Sequence, residues 1–269
     1  MFLKFPWRPA AAAVTGRGPG LWRRAGLVAG VLAAVLGGLP TAGHAAPLLQ
    51  PLVPGAGDEA TPPAPWAVAL LPEQRFPPTR YRLVRLDGQP ALRIEADGSY
   101  GNLVHPLNGA PGRGTLAWRW RVDEPNGAAD LRRREADDTS VKVCVLFDLP
   151  LDRVPFVERQ LLRLARSRSS FPLPAATVCY VWDARLPAGT RLDNAYSRRV
   201  RTLVLRSGPA PAGQPWATER RDIAADFQLL FGDESPQQVP PLIAVAVGAD
   251  ADNTGGRSVA HLGELGLLP

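Results

Sequence analysis

The sequence predicts an all-β fold, a jelly-roll-like antiparallel β-sandwich carrying two short helices. Residues 114–148 alternate apolar and charged side chains with a period of two, as expected of strands that bury one face. About ten short runs rich in β-branched and aromatic residues are separated by Gly, Pro, Asp and Asn turn signals. A strand–helix–strand rhythm is missing, which argues against a doubly wound sheet.

The first run supplies the clearest pattern. Leu116, Trp118, Trp120 and Val122 share one face of a strand, and Ala117, Arg119, Arg121 and Asp123 share the other. A second strand follows, with Val141, Val143, Val145 and Phe147 on its apolar face and Lys142, Cys144, Leu146 and Asp148 opposite. If these two strands pair, Arg119, Arg121 and Lys142 gather on one surface.

Upstream, YRLVRL and ALRIEA flank the turn signal Asp87-Gly88-Gln89-Pro90, and a strand over 100–107 follows the break at Asp97-Gly98-Ser99. Downstream, residues 157–167 read as a helix with a partial apolar stripe. Strands are expected over 175–183, 200–205, 216–223, 242–247 and 260–268, with a short helix over 224–231.

The N-terminus reads as an export signal. Residues 1–24 hold Lys4, Arg8, Arg17, Arg23 and Arg24 and no acid, an apolar run follows over 25–39, and small residues surround Ala45. That order is expected of a secretory signal peptide cleaved after Ala45; an uncleaved anchor is the alternative. The expected organisation is a signal peptide over 1–45, a Pro- and Ala-rich extended lead-in over 46–74, and one β-sandwich domain over 75–269. The product would be periplasmic or secreted, with no membrane span after cleavage.

Charge excludes one class. The whole chain has 31 Lys and Arg against 25 Asp and Glu. Without residues 1–45 the basic residues fall to 26 against the same 25 acids, a net charge of +1. A general nucleic-acid binder keeps a large basic excess, so that function is set aside. Cys144 and Cys179 read equally well as a disulfide of an oxidising compartment or as two small buried residues.

Trp118-Arg119-Trp120-Arg121-Val122, Asp137-Asp138, Phe147-Asp148, Tyr180-Val181-Trp182 and Asp250-Ala251-Asp252-Asn253-Thr254, in that order, resemble an uncharacterised bacterial exported family, the domain of unknown function 3047 (DUF3047). The resemblance covers roughly residues 75–268 and implies an exported jelly-roll domain similar to carbohydrate-binding modules. It names no catalytic residue.

Several side chains are candidates for chemistry. Asp137 and Asp138 could accept hydrogen bonds from a ligand, hold a cation, or form ion pairs with Arg119 or Arg121. Asp250 and Asp252 open a stretch resembling a calcium loop, with Gly255 at its sixth position but no acid at its twelfth. Trp118 and Trp120 belong to the core by periodicity, whereas Trp182, at a strand end, is the candidate for a surface platform. His105 and His261 are expected to be structural or surface residues, not catalytic bases.

The reading favoured by these residues is a module that binds a carbohydrate or an envelope-derived ligand through Arg119, Arg121, Asp137, Asp138, Lys142 and Trp182, with calcium at Asp250 and Asp252 as an option. The alternatives are a structural or protein-interaction domain of the envelope, and a polysaccharide hydrolase or lyase using Asp138 or Asp148 as acid or base.

Overall fold

Alternating apolar faces on so many short strands are satisfied most simply by two sheets packed face to face. The computed structural model describes residues 48–54, 61–71, 73–168, 173–210, 212–213 and 215–269. The expected signal peptide and its cleavage point lie outside them.

Among the described residues, twelve strands form: β1 (Ala67–Ala69), β2 (Arg80–Leu86), β3 (Gln89–Asp97), β4 (Asn102–Ala110), β5 (Thr115–Glu124), β6 (Thr139–Phe147), β7 (Ala176–Asp183), β8 (Arg191–Asp193), β9 (Val200–Ser207), β10 (Ala217–Asp222), β11 (Leu242–Asp250) and β12 (Arg257–Leu268). Helix α1 (Phe156–Arg168) lies between β6 and β7, and α2 (Ile223–Phe231) follows β10. One sheet runs β1-β4-β11-β6-β7-β9-β8 and the other β10-β5-β12-β3-β2. Among the described residues, neighbouring strands are antiparallel except β7 and β9, a parallel pair in an arrangement expected to be antiparallel.

The two-residue rhythm decides what fills the space between the sheets. Trp118 and Trp120 from β5, Leu92 and Ile94 from β3, and Leu262 from β12 point inward from the five-stranded sheet. Val141, Val143, Val145 and Phe147 from β6, and Val178, Tyr180 and Trp182 from β7, meet them from the seven-stranded sheet. Trp118 lies 5.3 Å from Tyr180, and Trp120 lies 5.9 Å from Trp182, between ring centroids. Such pairs add about 0.5–1.5 kcal/mol each beyond the area they bury.

Local chemistry sets the turns. Asp87 and Gly88 take φ of 53° and 74°, the left-handed pair of a two-residue hairpin between β2 and β3. A bulge in β12 between Leu262 and Leu265 adds a residue, so Leu262, Leu265 and Leu267 all stay inward despite their odd spacing. Asp222 caps α2 by accepting the N–H groups of Ala224 and Ala225 at 3.0 and 3.1 Å. The helix then packs Phe227 against Phe147 at 4.7 Å.

The described part of the lead-in is more tightly held than its composition suggested. Leu49, Leu52 and Trp66 join the core, and β1 pairs with the edge of β4. His105 packs against the Trp66 ring at 5.0 Å, and its Nε2 accepts the Gln50 N–H at 3.0 Å. That acceptor requires an unprotonated Nε2, and burial holds the His105 pKa below its usual 6.5.

Among the described residues, no helix is long and apolar enough to cross a membrane. Cys144 and Cys179 stand directly opposite each other on β6 and β7 and form a disulfide, closing a sequence separation of 35 residues.

Replacing Cys144 and Cys179 together with Ala should cost about 2–4 kcal/mol in urea unfolding, from a loop of this length. A loss below 0.5 kcal/mol, a threshold of roughly the size of a neutral surface change, would contradict the pairing. A second expectation concerns acid. Because folding favours neutral His105, stability is intact above the usual 6.5 and falls as pH drops through that value towards the lower folded pKa. An imidazole titration by NMR should place His105 below 6.5; a value above it would contradict the Gln50 contact.

Candidate functional site

The joint surface expected from β5 and β6 does not form, because consecutive strands went to opposite sheets. Trp120 of β5 packs inward from one sheet and Val143 of β6 from the other. Arg119 and Arg121 therefore face out from the five-stranded sheet, and Lys142 faces out on the far side of the sandwich. Trp182 is also corrected. It is 4% exposed, packed edge-on against Trp120 in the core, and its Nε1 donates to the Gly208 carbonyl at 2.8 Å, so it offers no platform.

The outer face of the seven-stranded sheet holds a recess of about 80 Å³. Its floor comes from alternate residues of four strands: Lys142 and the Cys144–Cys179 disulfide on β6 and β7, Val181, Ala246 on β11 and Thr202 on β9. Asn102 and Asp250 enter from strand ends, Tyr100 sits before β4, and Asp137, Asn194 and Tyr196 form the opposite wall.

Lys142 and Asp250 pair within the recess. Lys142 Nζ donates to Asp250 Oδ2 at 2.7 Å, and Asp250 Oδ1 accepts the Thr139 N–H at 2.8 Å. Burial opposes the charge on Lys142, but Asp250 and the neighbouring Tyr100 outweigh it and raise its pKa. Burial also pushes the Tyr100 phenol up to about 12, with Lys142 pulling the other way and Asp250 adding to the rise. At neutral pH Tyr100 is therefore a protonated group, and its oxygen accepts from Asn102 Nδ2 at 3.2 Å.

Asp137 and Asp138 have neither arginine as a partner. Asn194 Nδ2 donates to Asp137 Oδ2 at 2.6 Å, which ties the loop before β9 to the start of β6. Asp138 is fully buried and holds the turn between β11 and β12. Its Oδ1 accepts from Asn253 N and Nδ2 at 3.1 and 3.2 Å, and its Oδ2 from Thr254 N and Oγ1 at 2.8 and 2.5 Å. These bonds latch the turn that contains the calcium-like stretch. The cation beside Asp250 is the Lys142 ammonium, and among the described residues no three His, Cys, Asp or Glu side chains are grouped to hold a metal. Asp148 sits at the exposed end of β6, 3.7 Å from Arg166.

The recess thus unites Asp137, Lys142 and Asp250 with Tyr100, Asn102, Asn194, Tyr196 and Thr202, which sequence reasoning did not single out. No local pattern marks those five. They meet through the sheet order β4-β11-β6-β7-β9, which places strands distant in sequence side by side.

A double-mutant cycle tests the central pair. Lys142→Met should cost about 3–5 kcal/mol, because it leaves the Asp250 carboxylate buried without its cation. The double variant Lys142→Met/Asp250→Leu should cost clearly less than the sum of the single changes in urea unfolding. Additive losses would contradict the pairing.

Similar solved structures include a mutant family 29 carbohydrate-binding module complexed with mannohexaose, 11% identical, covering 81% of this chain and 88% of that one, with a TM-score of 0.33. Another is the Trichoderma harzianum endoglucanase 3 from family GH12, 7% identical, covering 76% of this chain and 98% of that one, with a TM-score of 0.38. At these identities the likeness concerns the fold alone. No curated protein matches the sequence. The family described as "Protein of unknown function (DUF3047)" matches residues 64–266, most of the chain, and the chain belongs to that family.

Proposed function

We propose that the protein is a binding module for a polyhydroxylated ligand, a carbohydrate or a glycan of the cell envelope, seated in the recess of the seven-stranded sheet. The observation that supports this is the composition of the recess. Val181, Val200, Ala246 and the disulfide provide an apolar floor, and amide, hydroxyl, carboxylate and ammonium groups stand around it. A sugar ring has the matching chemistry, with C–H groups on its faces and hydroxyls on its edges. Few convergent polar groups over an apolar surface are a usual design for small-ligand sites.

The dimensions narrow the ligand. Pockets that enclose drug-sized molecules measure about 300–1,000 Å³, well above the 80 Å³ here. A ligand would rest one ring or chain end in the recess and leave the remainder in solvent. Export to the periplasm or beyond, read from the N-terminal sequence, accords with such a ligand. One observation favours a structural role instead: Asp138 spends its carboxylate on holding a turn, and Asp250 spends its own on Lys142 and Thr139.

A glycan array followed by calorimetry distinguishes the two, run with and without calcium. The binding reading predicts a saturable oligosaccharide ligand and a loss of about tenfold or more in affinity on Val200→Trp, which fills the recess from its half-buried edge. Absence of any ligand for the wild type, or a ligand bound equally by Val200→Trp, would overturn it.

A further inference from the structure

The far side of the sandwich carries a second surface that the recess does not use. Arg82 pairs in register with Arg93, Arg93 with His261, and His261 with Arg121. Their neighbours Tyr81, Leu92, Ile94, Leu262 and Trp120 are buried in the core, so these four point outward together. The row crosses β2, β3, β12 and β5, three inter-strand steps, or about 14 Å.

Like charges directly opposite across a strand pair are destabilising. Here Arg82 faces Arg93, and acids flank the row, Glu95 and Asp123 on one side and Asp87, in the β2–β3 turn 3.1 Å from Arg121, on the other. Glu95 serves Arg80, Arg93 and Arg257, while Asp123 serves Arg121 and His261. Towards the other side, Arg119 and Arg220 also face outward, since they share the strand phase of Arg121 and of Ala117 opposite Arg220. Among the described residues, Arg82, Arg119 and Arg220 make no ion pair, and Arg82 and Arg220 are exposed.

The guanidinium groups are also held in place. Arg119 and Arg121 lie 4.8 and 5.7 Å from the centroid of the Trp216 ring, and Trp216 Nε1 donates to Asp87 at 3.3 Å. Gly263 gives Arg119 its path, because a Cβ there would sit 2.7 Å from Arg119 Nε, which is shielded and has no hydrogen-bond acceptor. Arginine side chains fixed by stacking lose less freedom when they take up an anion.

We propose that the outer face of the five-stranded sheet binds an acidic polysaccharide, a linear chain bearing carboxylates at regular intervals. A guanidinium fork matches a carboxylate in two parallel hydrogen bonds. The length of the row fits a polymer and not a single ion, which would reach only neighbouring arginines. The near-neutral charge of residues 46–269 disfavours nucleic acid, whose binding needs a basic excess over the whole domain. This surface is separate from the recess, so either can stand without the other.

Retention of the full chain on polygalacturonate provides the test, with dextran and duplex DNA as comparison polymers. Polygalacturonate should bind, weaken steadily as salt rises, and outcompete DNA, while dextran should not bind through this face. Arg82→Glu/Arg220→Glu removes two exposed, unpaired charges and should lower polygalacturonate affinity by about tenfold or more. Arg132→Gln/Arg133→Gln, in the exposed loop before β6, should leave it unchanged. No binding to polygalacturonate, equal loss in the loop variant, no loss in the charge-reversed one, or tighter binding to DNA would each overturn the proposal.

Discussion

The contact between Trp118 and Trp120 of β5 and the aromatic face of β7 is the constraint on which the remaining arrangement depends. Two indole rings at adjacent inward positions need a thick apolar layer, and Tyr180 and Trp182 supply it from across the sandwich. Once that layer forms, β5 and β6 cannot pair, because each requires the opposite sheet as the lid for its apolar face. Every outward side chain is then assigned to one surface or the other. Arginines of β5 go to the five-stranded sheet, and the sole lysine of residues 46–269 goes to the seven-stranded one.

Polar residues finish what the core begins. Asp138 joins the start of β6 to the turn between β11 and β12, and Asp250 joins the end of β11 to Lys142. Both carboxylates are buried, so each is affordable only because donors surround it. These links fix the back wall and floor of the recess. Asn194 and Tyr196, on the loop before β9, close the front through Asp137 and the Arg134 carbonyl. A preorganised set of polar groups gives orientation to a ligand at little entropic cost.

Much of the fold was legible because periodicity records burial directly. The alternation through Leu116–Val122 and Val141–Phe147 specified which faces are inside, and Asp87-Gly88 specified a hairpin. The three-residue strands β1 and β8 left no such trace, and nor did the parallel pairing of β7 with β9. Site residues were harder for a definite reason. Arg119 and Lys142 are close in sequence and alike in pattern, yet strand order, which no local window contains, puts them on opposite surfaces. Trp182 misled because a position near a strand end suggested exposure, whereas its place beside Tyr180 on the inward phase decided the matter. Asp137 and Asp138 stand out in the sequence as a carboxylate pair, but nothing local shows that amide and hydroxyl groups from residues 194 and 253–254 would reach them.

The two outward faces have different chemistry, one a small recess holding the Lys142–Asp250 pair among other polar groups, the other an arginine-rich plane. Mapping by amide chemical shifts in the presence of a neutral oligosaccharide separates them most directly. The account predicts shifts concentrated at Asn102, Lys142, Cys179, Asn194, Thr202 and Ala246. Shifts centred instead on Arg93, Arg121 and His261, or scattered without focus, would contradict the assignment of the recess as the ligand site.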